Sequence, residues 1–297
     1  MKIQGIFPAI ATPFDNRGDL YKIKVQHNVQ KWNLASIDGY VVCGSTGETP
    51  LLSAEEKLQL FEWVAQHAAA EKMRIAGTGC ESVRETVRLT NQVAAMGYQA
   101  ALVLTPHFFR SQMVKPESQL VYYRTVADQS KIPVLLYNFP QVCGLELTPE
   151  LVAILAQHPN IIGMKDSSGN LEGTKKFLAA AKETDPAFQV LTGSSNHLAA
   201  SLAAGCTGAV LALANAVPYA CVSIWEAHRQ RETEAAQDWQ QRISRAATLI
   251  ASTYGIPGLK HAMDLMGYYG GAPRLPLIPV TPSAQAEIAV AFEGLKG

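Results

Sequence analysis

Asn160-Ile161-Ile162-Gly163-Met164-Lys165-Asp166-Ser167-Ser168-Gly169 reads as a short buried strand closed by a lysine and followed by small polar residues. An apolar run of this length, bounded by turn residues, fits a strand covered on both faces. An ammonium at its end costs free energy unless it loses its charge, finds partners or reaches water. Lys165 therefore has two readings. Its tip snorkels to solvent, as long cationic side chains do, or it is desolvated, with a lowered pKa, and becomes a nucleophile that forms a Schiff base with a carbonyl.

Outward from that strand the same pattern recurs. Apolar, β-rich runs fall at 5–12, 39–42, 74–77, 100–104, 134–137, 161–165, 189–192 and 208–211, each followed by a candidate helix. Strands of this kind alternating with helices predict a parallel sheet, and eight of them predict an α/β fold of the (β/α)8 TIM barrel type. An open doubly wound sheet is the alternative; the GxGxxG fingerprint of its dinucleotide-binding form is missing. Helix starts are legible. Ser53 with Glu56 fits a capping box, and Thr148-Pro149-Glu150 places an N-cap, a first-turn proline and an early carboxylate in order. Residues 1–230 are expected to form the catalytic barrel and 231–297 a C-terminal helical extension. Residues 225–254 read as amphipathic helix, Ile256-Pro257-Gly258 as a break, and 259–266 as a further helix.

Composition narrows the function. Among 297 residues, Lys+Arg and Asp+Glu are 25 each, so net charge is zero. That argues against broad nucleic-acid or anionic-membrane binding. No apolar run is long enough to span a bilayer, and Met1-Lys2-Ile3-Gln4-Gly5 enters a strand-like pattern without a signal-peptide layout. The five cysteines form no CxxC pair and the seven histidines lack metal-ligand spacing. Reduced thiols in a cytoplasmic protein, with no metal site, are expected.

In barrels of this type the strands' C-terminal ends carry the chemistry. Those ends offer Lys165, Tyr137 and the turn Gly44-Ser45-Thr46-Gly47-Glu48. A phenol both donates and accepts, so Tyr137 suits proton transfer during carbinolamine formation and C–C bond change; the alternative is a packing residue at the rim. The glycines flanking Ser45 and Thr46 let the backbone approach a ligand, so N–H and hydroxyl groups there suit a carboxylate; the alternative is an ordinary turn. Glu48 reads as a cap of the following helix. Together these groups fit a 2-oxo acid such as pyruvate.

The motifs Gly44-Ser45-Thr46-Gly47-Glu48, Tyr137-Asn138-Phe139-Pro140, Gly163-Met164-Lys165-Asp166-Ser167 and Gly208-Ala209-Val210, leading to Ala214-Asn215, jointly resemble the dihydrodipicolinate synthase/N-acetylneuraminate lyase family of class I pyruvate aldolases. The resemblance covers nearly the whole chain. It implies a homotetramer that takes a small-molecule 2-oxo acid and needs no cofactor beyond the covalent lysine. It gives the Schiff base to Lys165, the proton relay to Tyr137, the pyruvate carboxylate to Ser45 and Thr46, and pocket-lining roles to Gly193 and Val210. Departures guide the choice within the family. Val142 stands where dihydrodipicolinate synthases carry an arginine for the aldehyde's carboxylate, which disfavours that reaction. Ser194, Ser195 and Asn196 replace the acidic pair expected of sialic acid lyases. Residues 76–82, 158–167 and 255–260, with Ser167 two residues after the lysine, look most like 4-hydroxy-2-oxoglutarate aldolase, which yields pyruvate and glyoxylate. Phe108 stands where many members carry a relay tyrosine. Other readings are a 2-keto-3-deoxy acid aldolase or dehydratase, a dihydrodipicolinate synthase-like condensing enzyme, and, in a different class, a non-catalytic 2-oxo acid binding protein.

Overall fold

The structure, a computed structural model, describes residues 1–295. Eight strands run β1 Gly5–Pro8, β2 Gly39–Val42, β3 Met73–Gly77, β4 Ala100–Leu104, β5 Val134–Asn138, β6 Ile161–Asp166, β7 Gln189–Thr192 and β8 Gly208–Leu211. They form one sheet in the order β1-β8-β7-β6-β5-β4-β3-β2. The two ends of that order, β1 and β2, are joined just past β1 by a parallel bridge between Ala9 and Val41. With helices alternating between the strands, this is the (β/α)8 barrel that the eight apolar runs predict. The first apolar run spans 5–12, but regular pairing stops at Pro8.

The chain divides into two compact units. One contains Met1–Gln4 and Arg74–Ala209. Its outer core packs Val134, Leu136 and Met164 from β5 and β6 against Leu151, Val152 and Leu155 of helix Pro149–Ala156 and against Phe177 and Leu178 of helix Leu171–Thr184. Side chains alternate across a strand, so Tyr137 and Lys165, next to Leu136 and Met164, face the other way, into the barrel. The helix at Pro149 starts as its sequence indicates: Thr148 Oγ1 accepts the Leu151 N–H, and proline sits where no intrahelical donor is needed.

The second unit contains Gly5–Met73 and the stretch from Val210. Ser53 and Glu56 form the predicted capping box at helix Ala54–His67. The helical stretch expected over 225–254 is interrupted. Helix Pro218–Arg229 ends, Arg231 takes the left-handed conformation at φ 62°, and helix Thr233–Thr248 begins. The expected break at Ile256-Pro257-Gly258 is also absent. Helix Gly255–Leu265 runs through it, because Pro257 lies in the first turn, where its missing N–H costs no helical bond. Helix Pro282–Phe292 closes the described chain.

Candidate active site

Strand register brings the lysine and the tyrosine together. Val134 pairs with Ile161, but Leu135 pairs with Gly163, so Ile162 is an extra residue in β6. Without this bulge Tyr137 would face Met164; with it, Tyr137 lies opposite Lys165 and Asn138 opposite Asp166. A one-residue slip moves every side chain to the other face, so the bulge decides which residue of β6 meets the phenol.

Lys165 is 4 % exposed and Tyr137 3 % exposed. Lys165 Nζ donates to the Tyr137 hydroxyl at 3.0 Å and lies 4.2 Å from the ring centroid. The phenol ring stacks on Phe139 at 5.7 Å, which fixes its plane. No carboxylate lies within ion-pair distance of Lys165 among the described residues. Snorkelling is thereby excluded: the amine is inside and donates to a phenol.

On the opposite strand face Asp166 is buried and fully engaged. Its carboxylate accepts from Asn138 Nδ2 at 2.9 Å, Ser168 N at 3.0 Å, Ser168 Oγ at 3.0 Å and Thr174 Oγ1 at 2.6 Å. Asn138 Oδ1 in turn accepts the Leu147 N–H at 3.0 Å. This outer network locks the ends of β5 and β6 behind the inner pair. Asn138 and Asp166 stand inside the sequence motifs, yet no role for them is legible there, because their partners appear only once the strands are paired.

Ser167 and Gly193 complete the group in this unit. The Gly193 N–H donates to Asp166 O at 2.7 Å, and the Ser167 N–H to Asn138 O at 2.9 Å. A Cβ on Gly193 would lie 2.9 Å from Ser167 Cβ and 3.1 Å from Lys165 Cε and would overlap Ser167 Oγ. Only a glycine leaves the lysine stem and the serine where they are.

The loop after β4 carries Phe108, 77 % exposed, with its ring edge-on to Phe109 at 5.2 Å. The N–H groups of His107 and Phe108 both donate to the Glu81 carboxylate. Val142, 46 % exposed, sits in the short helical turn Pro140–Cys143. Arg110 donates to Cys143 O at 3.3 Å, and its guanidinium fills the space of a Cβ at Gly144. A cation thus lies against the Val142 loop, which the sequence did not signal.

The remaining predicted residues belong to the second unit. Ser45 and Thr46 occupy a short 3-10 turn, Ser45–Gly47, directly after β2, both half-buried. Val210 is buried within β8. Glu48 does not cap the following helix; its carboxylate turns inward to Lys260 and the Arg274 N–H. The five cysteines are free, and burial pushes the thiols of Cys43, Cys206 and Cys221 up to about 12 and that of Cys143 to about 11, which suppresses thiolate chemistry. Among the described residues no three His, Cys, Asp or Glu gather as a metal site, and no helix is long and apolar enough to cross a membrane.

A buried amine beside a phenol, at the C-terminal ends of adjacent strands of a (β/α)8 barrel, is an arrangement suited to chemistry on carbonyl compounds. The chain belongs to the dihydrodipicolinate synthetase family, whose sequence model matches residues 2–294. It is 34% identical over 286 residues to a 4-hydroxy-tetrahydrodipicolinate synthase of Methanothrix thermoacetophila, covering 96% of this chain and 94% of the relative. It is also 34% identical over 296 residues to a probable mitochondrial 4-hydroxy-2-oxoglutarate aldolase of Emericella nidulans, covering 98% of this chain and 94% of the relative. Among solved structures, a prophage protein of the dihydrodipicolinic acid synthase family from E. coli K12, in complex with pyruvate, superposes with TM-score 0.90 at 28% identity, covering 98% of each chain. The chloride-inhibited dihydrodipicolinate synthase of Acinetobacter baumannii, also with pyruvate, gives TM-score 0.92 at 26% identity, covering 99% of each chain. The protein is a carbon–carbon lyase of the class I pyruvate aldolase type, acting on small molecules.

Proposed function

We propose that the protein is a Schiff-base aldolase that cleaves 4-hydroxy-2-oxoglutarate to pyruvate and glyoxylate. The observation that carries the reading is the buried Lys165 amine held 3.0 Å from the Tyr137 hydroxyl without a carboxylate counter-ion. Lys165 attacks the C2 ketone. The carbinolamine loses water to give an iminium, with Tyr137 passing the proton to the departing hydroxyl. The C4 hydroxyl then gives its proton to the Tyr137 phenolate, the C3–C4 bond breaks, and the electron pair enters the iminium to give an enamine while glyoxylate leaves. Protonation at C3 and hydrolysis release pyruvate and the free amine. Ser45 and Thr46 bind the C1 carboxylate, and Ser167, Gly193 and Val210 line the pocket. No cofactor is invoked beyond the lysine, and the assembly is a cytoplasmic homotetramer. Residues 1–230 act as the catalytic barrel and 231–297 as its helical extension.

Ser167, two residues after the lysine, supports the choice of substrate, as does the similarity to the probable aldolase of Emericella nidulans. The similarity to the Methanothrix synthase keeps a second reading, condensation of pyruvate with an amino-aldehyde acid. One experiment separates them. The protein is incubated with pyruvate, reduced with borohydride and digested, and the peptide that gains mass is located. Turnover of 4-hydroxy-2-oxoglutarate is then compared with condensation of pyruvate and aspartate semialdehyde. A pyruvate adduct on the Lys165 peptide, absent in Lys165→Ala, together with glyoxylate release, is expected. Condensation without cleavage would move the assignment to the synthase; no adduct on folded protein would move it to a 2-oxo acid binding protein.

A further inference from the structure

The turn that carries Ser45 and Thr46 is held in a conformation its sequence does not favour. Cys43 at φ 55° and Glu48 at φ 57° flank it, both non-glycine residues in the left-handed region. Such residues are strained and persist only where surrounding contacts over-determine them. Here the contacts are explicit. Thr12 Oγ1 donates to Gly47 O at 2.6 Å, and Thr49 Oγ1 to Gly44 O at 2.9 Å. The Glu48 carboxylate reaches inward: Oε1 lies 2.6 Å from Lys260 Nζ, and Oε2 accepts the Arg274 N–H at 2.8 Å. Both side chains of the ion pair are 0 % exposed. Lys260 Nζ donates further to Thr12 O at 2.8 Å and Ala272 O at 3.1 Å, and rests 4.5 Å from the Phe14 ring centroid.

One buried ion pair therefore ties the turn after β2 to the segment after β1, to helix Gly255–Leu265 and to the residues before Arg274. Burial lowers the Lys260 pKa from its ordinary value, and the nearby Glu48 carboxylate opposes that fall. A pair taken wholly out of water recovers little net stability, and apolar residues of similar volume serve a core as well. Its presence beneath a strained turn points to a geometric task.

We propose that Glu48 and Lys260 are positioning residues that set the Ser45–Gly47 turn for the carboxylate of the 2-oxo acid. They touch no substrate and act through the turn. This rests on the proposed function, in which Ser45 and Thr46 bind that carboxylate.

The test measures borohydride trapping against pyruvate concentration for the wild-type protein, Glu48→Gln, the double variant Glu48→Gln/Lys260→Met, and Thr12→Val, with unfolding midpoints alongside. Glu48→Gln leaves the Lys260 charge unpaired, whereas the double variant removes that charge and relieves its burial cost. A positioning role predicts that both raise the half-saturating pyruvate concentration about tenfold while the limiting trapping rate stays within about threefold, even where the double variant recovers its midpoint. A purely structural role predicts that half-saturation recovers with the midpoint, and that result overturns the proposal. Thr12→Val keeps the ion pair and removes only the hydroxyl to Gly47 O; it should raise half-saturation about threefold and carries the test if a Glu48 variant fails to fold. Unchanged half-saturation in folded variants overturns this inference alone. No adduct on the wild-type protein overturns the proposed function and this inference together.

Discussion

Gly193→Ala is the smallest change that should disable the site. The added methyl would lie 2.9 Å from Ser167 Cβ and 3.1 Å from Lys165 Cε and would overlap Ser167 Oγ. Rotating the serine hydroxyl relieves the overlap with Oγ but not the contact with Ser167 Cβ, which moves only with the backbone of the β6 end. That backbone is pinned, since the Ser167 N–H is bonded to Asn138 O and the Gly193 N–H to Asp166 O. Strain of this kind costs about 1–3 kcal/mol, and alanine returns about 0.4–1 kcal/mol by stiffening the unfolded chain. The expected result is a net destabilisation of about 1–2 kcal/mol. Catalysis should suffer more. A shift of the lysine stem by less than 1 Å takes Nζ out of line with the phenol, and misplacement on that scale costs about 10²-fold in rate. Urea unfolding reads the first quantity and the rate of borohydride-trapped adduct the second. A variant that traps pyruvate at the wild-type rate and unfolds at the wild-type midpoint would refute the packing argument and the place of Gly193 beside the amine.

Three further outcomes are expected. Tyr137→Phe keeps the ring stacked on Phe139 and under Lys165 Nζ but deletes the hydroxyl 3.0 Å from the amine. Turnover should fall about 10²–10⁴-fold, and about 1–3 kcal/mol of folding stability should go with the amine's hydrogen-bond partner; steady-state kinetics beside an unfolding curve would show a wrong assignment as a fall in turnover under tenfold. Phe108→Tyr, at a position 77 % exposed, should leave stability within about 0.5 kcal/mol and alter turnover; rates equal to wild type would remove the position from any proton relay. Glu56 meets Arg274 through two hydrogen bonds of 2.7 and 2.6 Å, and the guanidinium holds its carboxyl below the usual range. A lowered folded-state pKa means that the unfolded chain takes up the proton first as pH falls. The pair's contribution, about 1–2 kcal/mol, is therefore full above the ordinary carboxylate pKa and lost as pH drops through the folded value. Glu56→Gln should be less stable at neutral pH and converge with wild type in acid; a gap independent of pH would count against the ion pair.

The barrel was legible because each strand is an apolar run of four to six residues with its own bounding turn. What failed to show in the sequence depends on pairing across the fold. The bulge at Ile162 leaves no mark in the sequence, yet it is what puts Lys165 rather than Met164 opposite Tyr137. Nothing before Arg231 signals a helix stop, since neither glycine nor proline stands there and the left-handed residue is an arginine. Pro257 misled in the other direction, because proline breaks a helix interior and not its first turn. Glu48 lies just before a helical turn and so read as a cap, but its partner lysine comes from the far end of the chain.

Burial alone would not have singled out Lys165, because three lysines are buried among the described residues. Lys72 donates to Ala35 O and Ile37 O, two carbonyls at 2.9 and 2.7 Å. Lys260 is held by the Glu48 carboxylate and two further carbonyls. Each of these side chains is an ammonium used as a hydrogen-bonding brace, its protons committed to strong acceptors, and a nitrogen so committed offers no lone pair to a ketone. Lys165 has a phenol and the face of a ring instead. A phenol accepts a proton as readily as it donates one, so the same contact that shelters the amine can take part in freeing its lone pair and in returning the proton later. On the proposed function, the distinction between a structural and a reactive buried lysine thus lies in the acceptor set, and the bulge in β6 is the element that chooses which set Lys165 receives.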